Sequence, residues 1–340
     1  MNAIPQTAPQ PADLDAMLGK MMGEVGAAFT APLVVLGDRL GLFTTLAAEG
    51  PLTAAALADA TGTDRRYVRE WCSAMAAAGY VCYEPADETF RMTPEQIMVF
   101  ADEASPVNMV GAFQVMAAMM RGEDKLADAF RTGRGVGWHE HDHSLFCGCA
   151  RNFRGAYIGN LVQSWLPSLE GVTERLNRGG IVADVGCGFG ESTLIMARAF
   201  PAARFVGFDA HPESVAAART AAERAGLADR VSFEVGHAQD FPGKAYDLIC
   251  CFDCLHDMGD PVSAAAHIRD ALDDAGTFML VEPMAGDTLA ENLNPVGRMY
   301  YAASTMICTP ASRSQDGAMC LGAQAGERRL RAVLADAGFR

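Results

Sequence analysis

The sequence predicts an α/β domain with a parallel sheet in the C-terminal half and a smaller, mostly α-helical domain ahead of it. Two observations carry the first part. Ile181-Val182-Ala183-Asp184-Val185 reads as a buried strand running into Gly186-Cys187-Gly188-Phe189-Gly190, a glycine turn that opens a helix near Glu191. A second strand, Phe205-Val206-Gly207-Phe208-Asp209, ends in an acid at about 20 residues' distance, where a ribose-binding carboxylate is expected. The third observation concerns residues 52–92. Two short helical patterns meet at Gly62 and are followed by alternating Val81-Cys82-Tyr83 and Phe90-Arg91-Met92, which predict a winged helix.

The glycine turn is read as a cofactor loop. Gly186, Gly188 and Gly190 remove the Cβ atoms that hold a ligand off the backbone, and the helix behind them points free N–H groups at the site. Dinucleotide-binding turns place their last glycine one position later, where this chain has Glu191. A carboxylate there suits a cationic ligand better than a pyrophosphate. Asp209 is assigned to ribose hydroxyls, with Ala210 beside it. Asp240 is either an acceptor for an adenine amino group or a cap or turn residue, and Phe241 is expected as an apolar wall.

Four ordered motifs give a resemblance. The Asp184–Gly190 loop, Asp209, the segment Gly236-His237-Ala238-Gln239-Asp240-Phe241, and Tyr246-Asp247-Leu248-Ile249 running to Phe252-Asp253-Cys254-Leu255-His256-Asp257 resemble those of class I S-adenosylmethionine-dependent methyltransferases. The narrower likeness is to bacterial O-methyltransferase-like members with an N-terminal winged helix, supported by Leu255-His256-Asp257-Met258-Gly259-Asp260-Pro261 and Asn294-Pro295-Val296-Gly297-Arg298. The resemblance implies a Rossmann-like sheet, S-adenosylmethionine as cofactor, and a winged-helix domain that dimerises and helps close the acceptor pocket. Such a ligand needs close backbone approach, a helix N-terminus for its carboxylate, and acids or carbonyls for its ammonium and sulfonium. Asp184 and the carbonyls near Phe252 are expected to supply the last of these.

For chemistry, His256 follows the fourth strand of the sheet and Glu282 ends the next, Phe278-Met279-Leu280-Val281-Glu282. The resemblance places a catalytic His-Asp pair at His256-Asp257 and an assisting acid at Glu282. The competing reading is a histidine that only packs or caps. The acceptor site is expected to involve Tyr157, Arg298 and Tyr301. Arg298 recognises an acceptor carboxylate or makes a structural salt bridge. His139, His141 and His143 with Cys147 and Cys149 have metal-like spacing, but acids interleave them in a loop, and no metal site is expected.

The expected domains are a mobile tail at 1–12, a winged-helix dimerisation domain at 13–100, a helical linker walling the pocket at 101–176, and the Rossmann-like domain at 177–340 with a lid at 284–325. The apolar stretch from Ala27 to Phe43 is read as core helix. The resemblance also implies an antiparallel edge hairpin after the last helix, and the sequence stops at Ala337-Gly338-Phe339-Arg340, where it should begin.

A net charge of −15 disfavours nucleic-acid and anionic-membrane binding, and ten cysteines partly inside predicted strands fit a reducing cytoplasm. The reading is methyl transfer to a small, partly apolar acceptor by a homodimer, most plausibly at a hydroxyl with His256 as base, with oxygen, nitrogen and sulfur all open. The alternative is a ligand-sensing winged-helix regulator that keeps the fold as a binding module, with Arg65, Arg66 and Arg69 on DNA. A nicotinamide oxidoreductase is disfavoured by Glu191, and a fold without activity is a further alternative.

Overall fold

Along the C-terminal strands, side chains alternate between two cores, as a sheet covered on both faces requires. Val182, Phe205, Leu248, Cys250 and Phe252 enter one cluster, while Ala183, Val185, Phe208, Ile249 and Cys251 enter the other. A computed structural model describes residues 10–339, which fall into two units, Met1–Ala117 and Ala118–Arg340. The boundary lies inside the segment expected as a helical linker.

The first unit holds three short strands, β1 (Leu52–Thr53), β2 (Cys82–Glu84) and β3 (Thr89–Arg91), in the antiparallel order β1-β3-β2. Between β1 and β2 lie helices Ala54–Thr61 and Arg65–Ala77. Thr53 caps the first by accepting from Ala56 N at 3.2 Å, Gly62 closes it at φ 64°, and Asp64 caps the second. The winged helix is therefore present as expected. Arg65 pairs with Asp59 and Arg66 with Glu70, so two of the arginines considered for DNA are already neutralised.

The long apolar stretch departs from expectation. Helix Pro11–Arg39 begins inside the segment read as a mobile tail, whose residues 1–9 lie outside the described ones. It buries only Ala31, Val34 and Gly37, at a close crossing where Trp71 Nε1 donates to Leu33 O at 2.8 Å. A Cβ on Gly37 would stand 2.4 Å from the Trp71 ring. Leu33 packs against the same core, while many of the helix's other apolar residues are exposed, Met22 at 76% and Phe29 at 75%. By length and composition this helix is long and apolar enough to cross a membrane.

The second unit is built on a five-stranded parallel sheet of β4 (Ile181–Val185), β5 (Arg204–Asp209), β6 (Val231–Val235), β7 (Tyr246–Phe252) and β8 (Leu272–Val281). The order is β6-β5-β4-β7-β8, so the chain leaves β4 toward β5 on one side and reaches β7 on the other. That reversal opens a crevice at the carboxyl ends of β4 and β7, where open α/β sheets bind ligands. On the β8 side, Phe278 packs against Phe339 at 5.4 Å, and no further strand is paired to β8 among the described residues.

The expected lid carries helix Pro295–Ala303, a π-helical turn Ser304–Cys308 and helix Thr309–Arg313. It is fastened to the loop after β7. Ser312 Oγ donates to Met258 O at 2.9 Å, Gln315 Nε2 donates to Asp257 O at 2.9 Å, and Gly259 N donates to Gln315 Oε1 at 3.1 Å.

Candidate active site

Gly186, Gly188 and Gly190 all have left-handed φ, at 76°, 53° and 80°, but for different reasons. A Cβ on Gly186 would meet Cys254 Sγ at 2.7 Å, and one on Gly190 would meet the Phe233 ring at 2.5 Å. Those two allow close packing. A Cβ on Gly188 would meet nothing within 4 Å, so it is the glycine that faces open space. Helix Glu191–Ala199 starts directly behind with no side-chain cap, leaving its first N–H groups for a ligand.

Asp184 lies beneath this loop, 1% exposed. Its Oδ2 accepts from Ser192 Oγ and Thr193 Oγ1, both at 2.6 Å, while Oδ1 is buried with no hydrogen-bond partner. Burial pushes its carboxyl up to about 6, only partly offset by the two hydroxyls. A buried orphan carboxylate oxygen suits a cationic group of a ligand. Asp209 accepts from Gly188 N at 2.9 Å through one oxygen and from His211 N at 2.8 Å through the other, beside the exposed Ala210. Burial raises this carboxyl as well. Phe252 is 5% exposed and packs against Tyr157 at 5.3 Å, so both are walls of the core at this end of the sheet.

Phe241 is placed differently. It is 1% exposed, stacks on Phe208 at 4.9 Å and meets His267 edge-on at 4.5 Å. The ring is thus enclosed in the core and is not exposed toward a ligand. Asp240 next to it is exposed.

At the exits of β7 and β8 the expected pair comes together. Glu282 Oε1 accepts from Leu255 N at 2.9 Å and from His256 N at 3.3 Å, and Oε2 is hydrogen-bonded to His256 Nδ1. On the other side of the ring, Nε2 stands 3.2 Å from the buried Asp257 Oδ1. The His256 side chain is 3% exposed. Burial alone would lower its pKa, but Asp257, Cys308 and Glu282 together outweigh burial and hold the imidazole protonated well above its ordinary range.

Three further residues lie near this cluster. Asp253 directly follows β7 in a left-handed conformation, φ 54°, and burial pushes its carboxyl to about 7. Cys308 arrives from the lid against His256 and Asp257. Tyr300, with its hydroxyl raised by burial and by Asp253, feels the His256 charge. Tyr301 instead takes a 3.4 Å hydrogen bond from Asn292 Nδ2, and the Arg298 side chain is exposed. Asp253 was legible as a strand-exit acid, whereas no local pattern marks Cys308. The histidine-rich loop does not converge on a point among the described residues. His141 packs edge-on against Trp138, while His143 faces Cys147 at 3.6 Å and Glu213 at 3.8 Å.

Comparison with known proteins agrees with this architecture. Residues 176–338 match a methyltransferase domain, and residues 28–101 match an Rv2258c-like winged HTH domain. The O-demethylpuromycin-O-methyltransferase of Streptomyces alboniger is 30% identical over 167 residues, 47% of this chain and 40% of that protein. The ajmaline N-methyltransferase of Rauvolfia serpentina is 30% identical over 152 residues, 42% of this chain and 52% of that protein. The chain spans 23% and 38% of the length of two further curated relatives, a Synechococcus protein and an Escherichia coli trans-aconitate 2-methyltransferase. Human N-acetylserotonin methyltransferase, solved in complex with S-adenosylmethionine, shares the fold with a TM-score of 0.71 at 17% identity, over 98% of this chain and 94% of that one. The chain is thus similar to an Rv2258c-like winged HTH domain over residues 28–101 and to a methyltransferase domain over residues 176–338.

Proposed function

We propose that this protein is an S-adenosylmethionine-dependent methyltransferase acting on a small, partly apolar acceptor, with a hydroxyl as the methylated group. The observation that carries the reading is the convergence of the open Gly188, the orphan Asp184 Oδ1 and the Asp209 carboxylate bonded to Gly188 N at the carboxyl ends of β4 and β5. Asp209 would hold the ribose hydroxyls, Asp184 the ammonium, and the N-terminus of helix Glu191–Ala199 the carboxylate. When bound, S-adenosylmethionine supplies an activated methyl for in-line displacement, so catalysis rests on orientation and exclusion of water.

An acceptor hydroxyl must also lose its proton. His256 in its neutral form is the proposed acceptor of that proton, its basicity strengthened by the neighbouring Asp257 and Glu282, with Glu282 fixing the ring through Nδ1 so that Nε2 is the working atom. The chain-wide partner is a second copy of itself. The outward apolar face of Pro11–Arg39, with Met22 and Phe29 at its centre, supports a homodimer built on that helix, and ten free cysteines suit the reducing cytoplasm in which we place it.

Calorimetric titration with adenosylhomocysteine beside NAD⁺ tests the cofactor. Binding of adenosylhomocysteine alone is expected; binding of NAD⁺ alone, or of neither, overturns the reading. Sedimentation of Met22→Glu/Phe29→Glu tests the dimer, with a monomer expected and an unchanged dimer contradicting it.

A further inference from the structure

The lid brings a thiol against the proposed base. Cys308 is 6% exposed and closes the π-helical turn Ser304–Cys308; its Sγ, an Asp257 carboxylate oxygen and a His256 ring nitrogen all lie within 4.8 Å of one another. The turn is widened just ahead of Pro310, which has no N–H to close an ordinary helical turn behind it, and irregularities of this kind often mark functional positions. We propose that Cys308 is a positioning residue for His256: its thiol holds the Asp257 carboxylate against Nε2, so that the base is assembled only when the lid is fastened. The inference rests on His256 as the proton acceptor.

The two sides of the imidazole are held differently. Nδ1 is bonded to Glu282, which is anchored by the Leu255 and His256 N–H groups, so this side belongs to the strand exits. Nε2 faces Asp257 Oδ1 at 3.2 Å, and Asp257 belongs to a loop gripped by the lid at three successive residues. Gln315 Nε2 donates to Asp257 O, Ser312 Oγ donates to Met258 O, and Gln315 Oε1 accepts from Gly259 N. Cys308 extends that grip from the backbone of Asp257 to its side chain.

A thiol suits the place because it is both a weak donor and a weak acceptor, and can face a carboxylate and an imidazolium together. Its influence on the two is in one sense. Burial raises the Asp257 carboxyl, while His256 and Cys308 pull it down; burial lowers the His256 imidazole, while Asp257, Cys308 and Glu282 raise it. The thiol therefore favours the charged pair that exists once Nε2 has taken a proton. The ionisable neighbours of His256 are Glu282, Asp257 and Asp253 from the strand exits, with Cys308 and Tyr300 from the lid. Asp253 and Glu282 stay in place when Cys308 is changed, which isolates the lid's share.

The test needs no acceptor. The His256 ring is titrated by NMR in the full chain carrying ¹³C- and ¹⁵N-labelled histidine, its signals identified by their loss in His256→Ala. Cys308→Ala should lower the midpoint by at least ~0.5 pH, and Cys308→Ser, which keeps a donor and acceptor, should return it more than halfway to the parent. Gln315→Ala, which loosens the lid without touching the imidazole, should also lower it. The same variant should speed iodoacetamide labelling of Cys308 by at least ~5-fold, the size expected for one or two lost hydrogen bonds, while labelling of the half-buried Cys82 is unchanged. In the parent the Cys308 thiol, pushed up to about 12 by burial and by Asp257, should label slowly. Adenosylhomocysteine binding by each variant reports whether it is folded. A midpoint that Cys308→Ala leaves unchanged, or a Cys308→Ser that behaves as Cys308→Ala, overturns the proposal; so does a Gln315→Ala chain that titrates and labels as the parent does. Unchanged turnover in His256→Ala would instead remove the base itself, a failure of the underlying reading that these titrations do not share.

Discussion

The two ends of the crevice are built in different ways. At the β4–β5 end, Asp184, the glycine loop, Ser192, Thr193 and Asp209 come from one short stretch of strand, turn, helix and strand, and their contacts are mostly to one another. At the β7–β8 end, His256, Glu282 and Cys308 come from a strand exit, the next strand exit and the lid, and each depends on the others for its place. The first end is a cradle set by backbone geometry, with glycine conformations doing the shaping. The second is a buried charge cluster, in which imidazole, carboxylates and thiol exclude water from one another. A substitution should therefore act locally at the first end and collectively at the second.

The largest expected effect breaks the second end. His256→Ala should lower turnover by on the order of 10²-fold or more while leaving adenosylhomocysteine affinity intact; unchanged turnover in a methyl-transfer assay would remove His256 from the chemistry. Next, Asp209→Ala should weaken adenosylhomocysteine by roughly 10- to 100-fold, the size expected for hydrogen bonds to a charged group, with no change in melting temperature beyond a few degrees. Full affinity by calorimetry would refute the ribose assignment.

A smaller comparison lies inside the glycine loop. Gly190→Ala places a Cβ against Phe233 as well as straining φ, and should destabilise by about 2 kcal/mol or more, whereas Gly188→Ala carries only the backbone cost of about 1 kcal/mol. Equal losses in urea melts would mean that the two glycines do not differ as described.

The mildest effect is on pH. Asp184 is raised to about 6, so it ionises above that pH and is neutral below it. Adenosylhomocysteine affinity should fall as pH drops through about 6, by up to ~10-fold per unit, because a neutral carboxyl no longer attracts an ammonium. The folded carboxyl holds its proton more tightly than an unfolded one, so this group's contribution to stability runs the other way and improves as pH falls below about 6. Asp184→Asn should bind weakly with a flatter profile; a parent profile that is flat from roughly pH 5 to 7 by calorimetry would exclude the ammonium contact.

The same contrast explains what was legible in the sequence. Asp184, Gly188 and Asp209 could be read because parallel strands deliver their C-terminal ends to one edge, so spacing along the chain translates into position. Glu282 was legible for the same reason. Phe241 was misplaced because its position after β6 does not say which way the ring turns, and it turns into the core beside Phe208. Tyr300 and Tyr301 are adjacent on one lid helix, and only packing decides that Tyr300 is the one near Asp253. Cys308 carried no signal at all, since a buried cysteine in an apolar helix reads as filler. Of Ala27–Phe43, read as core, Ala31, Val34, Leu42 and Phe43 are buried but Phe29 and Leu36 are exposed, because composition records apolarity and not its partner.

The central claim is that the β4–β5 end cradles an adenosyl ligand. A crystal structure with adenosylhomocysteine tests it most directly. The account predicts ribose hydroxyls on Asp209, the amino group at Asp184 Oδ1 and the chain of the ligand passing over Gly188. A ligand bound elsewhere, or one that leaves Asp184 Oδ1 and Asp209 without new contacts, would contradict it.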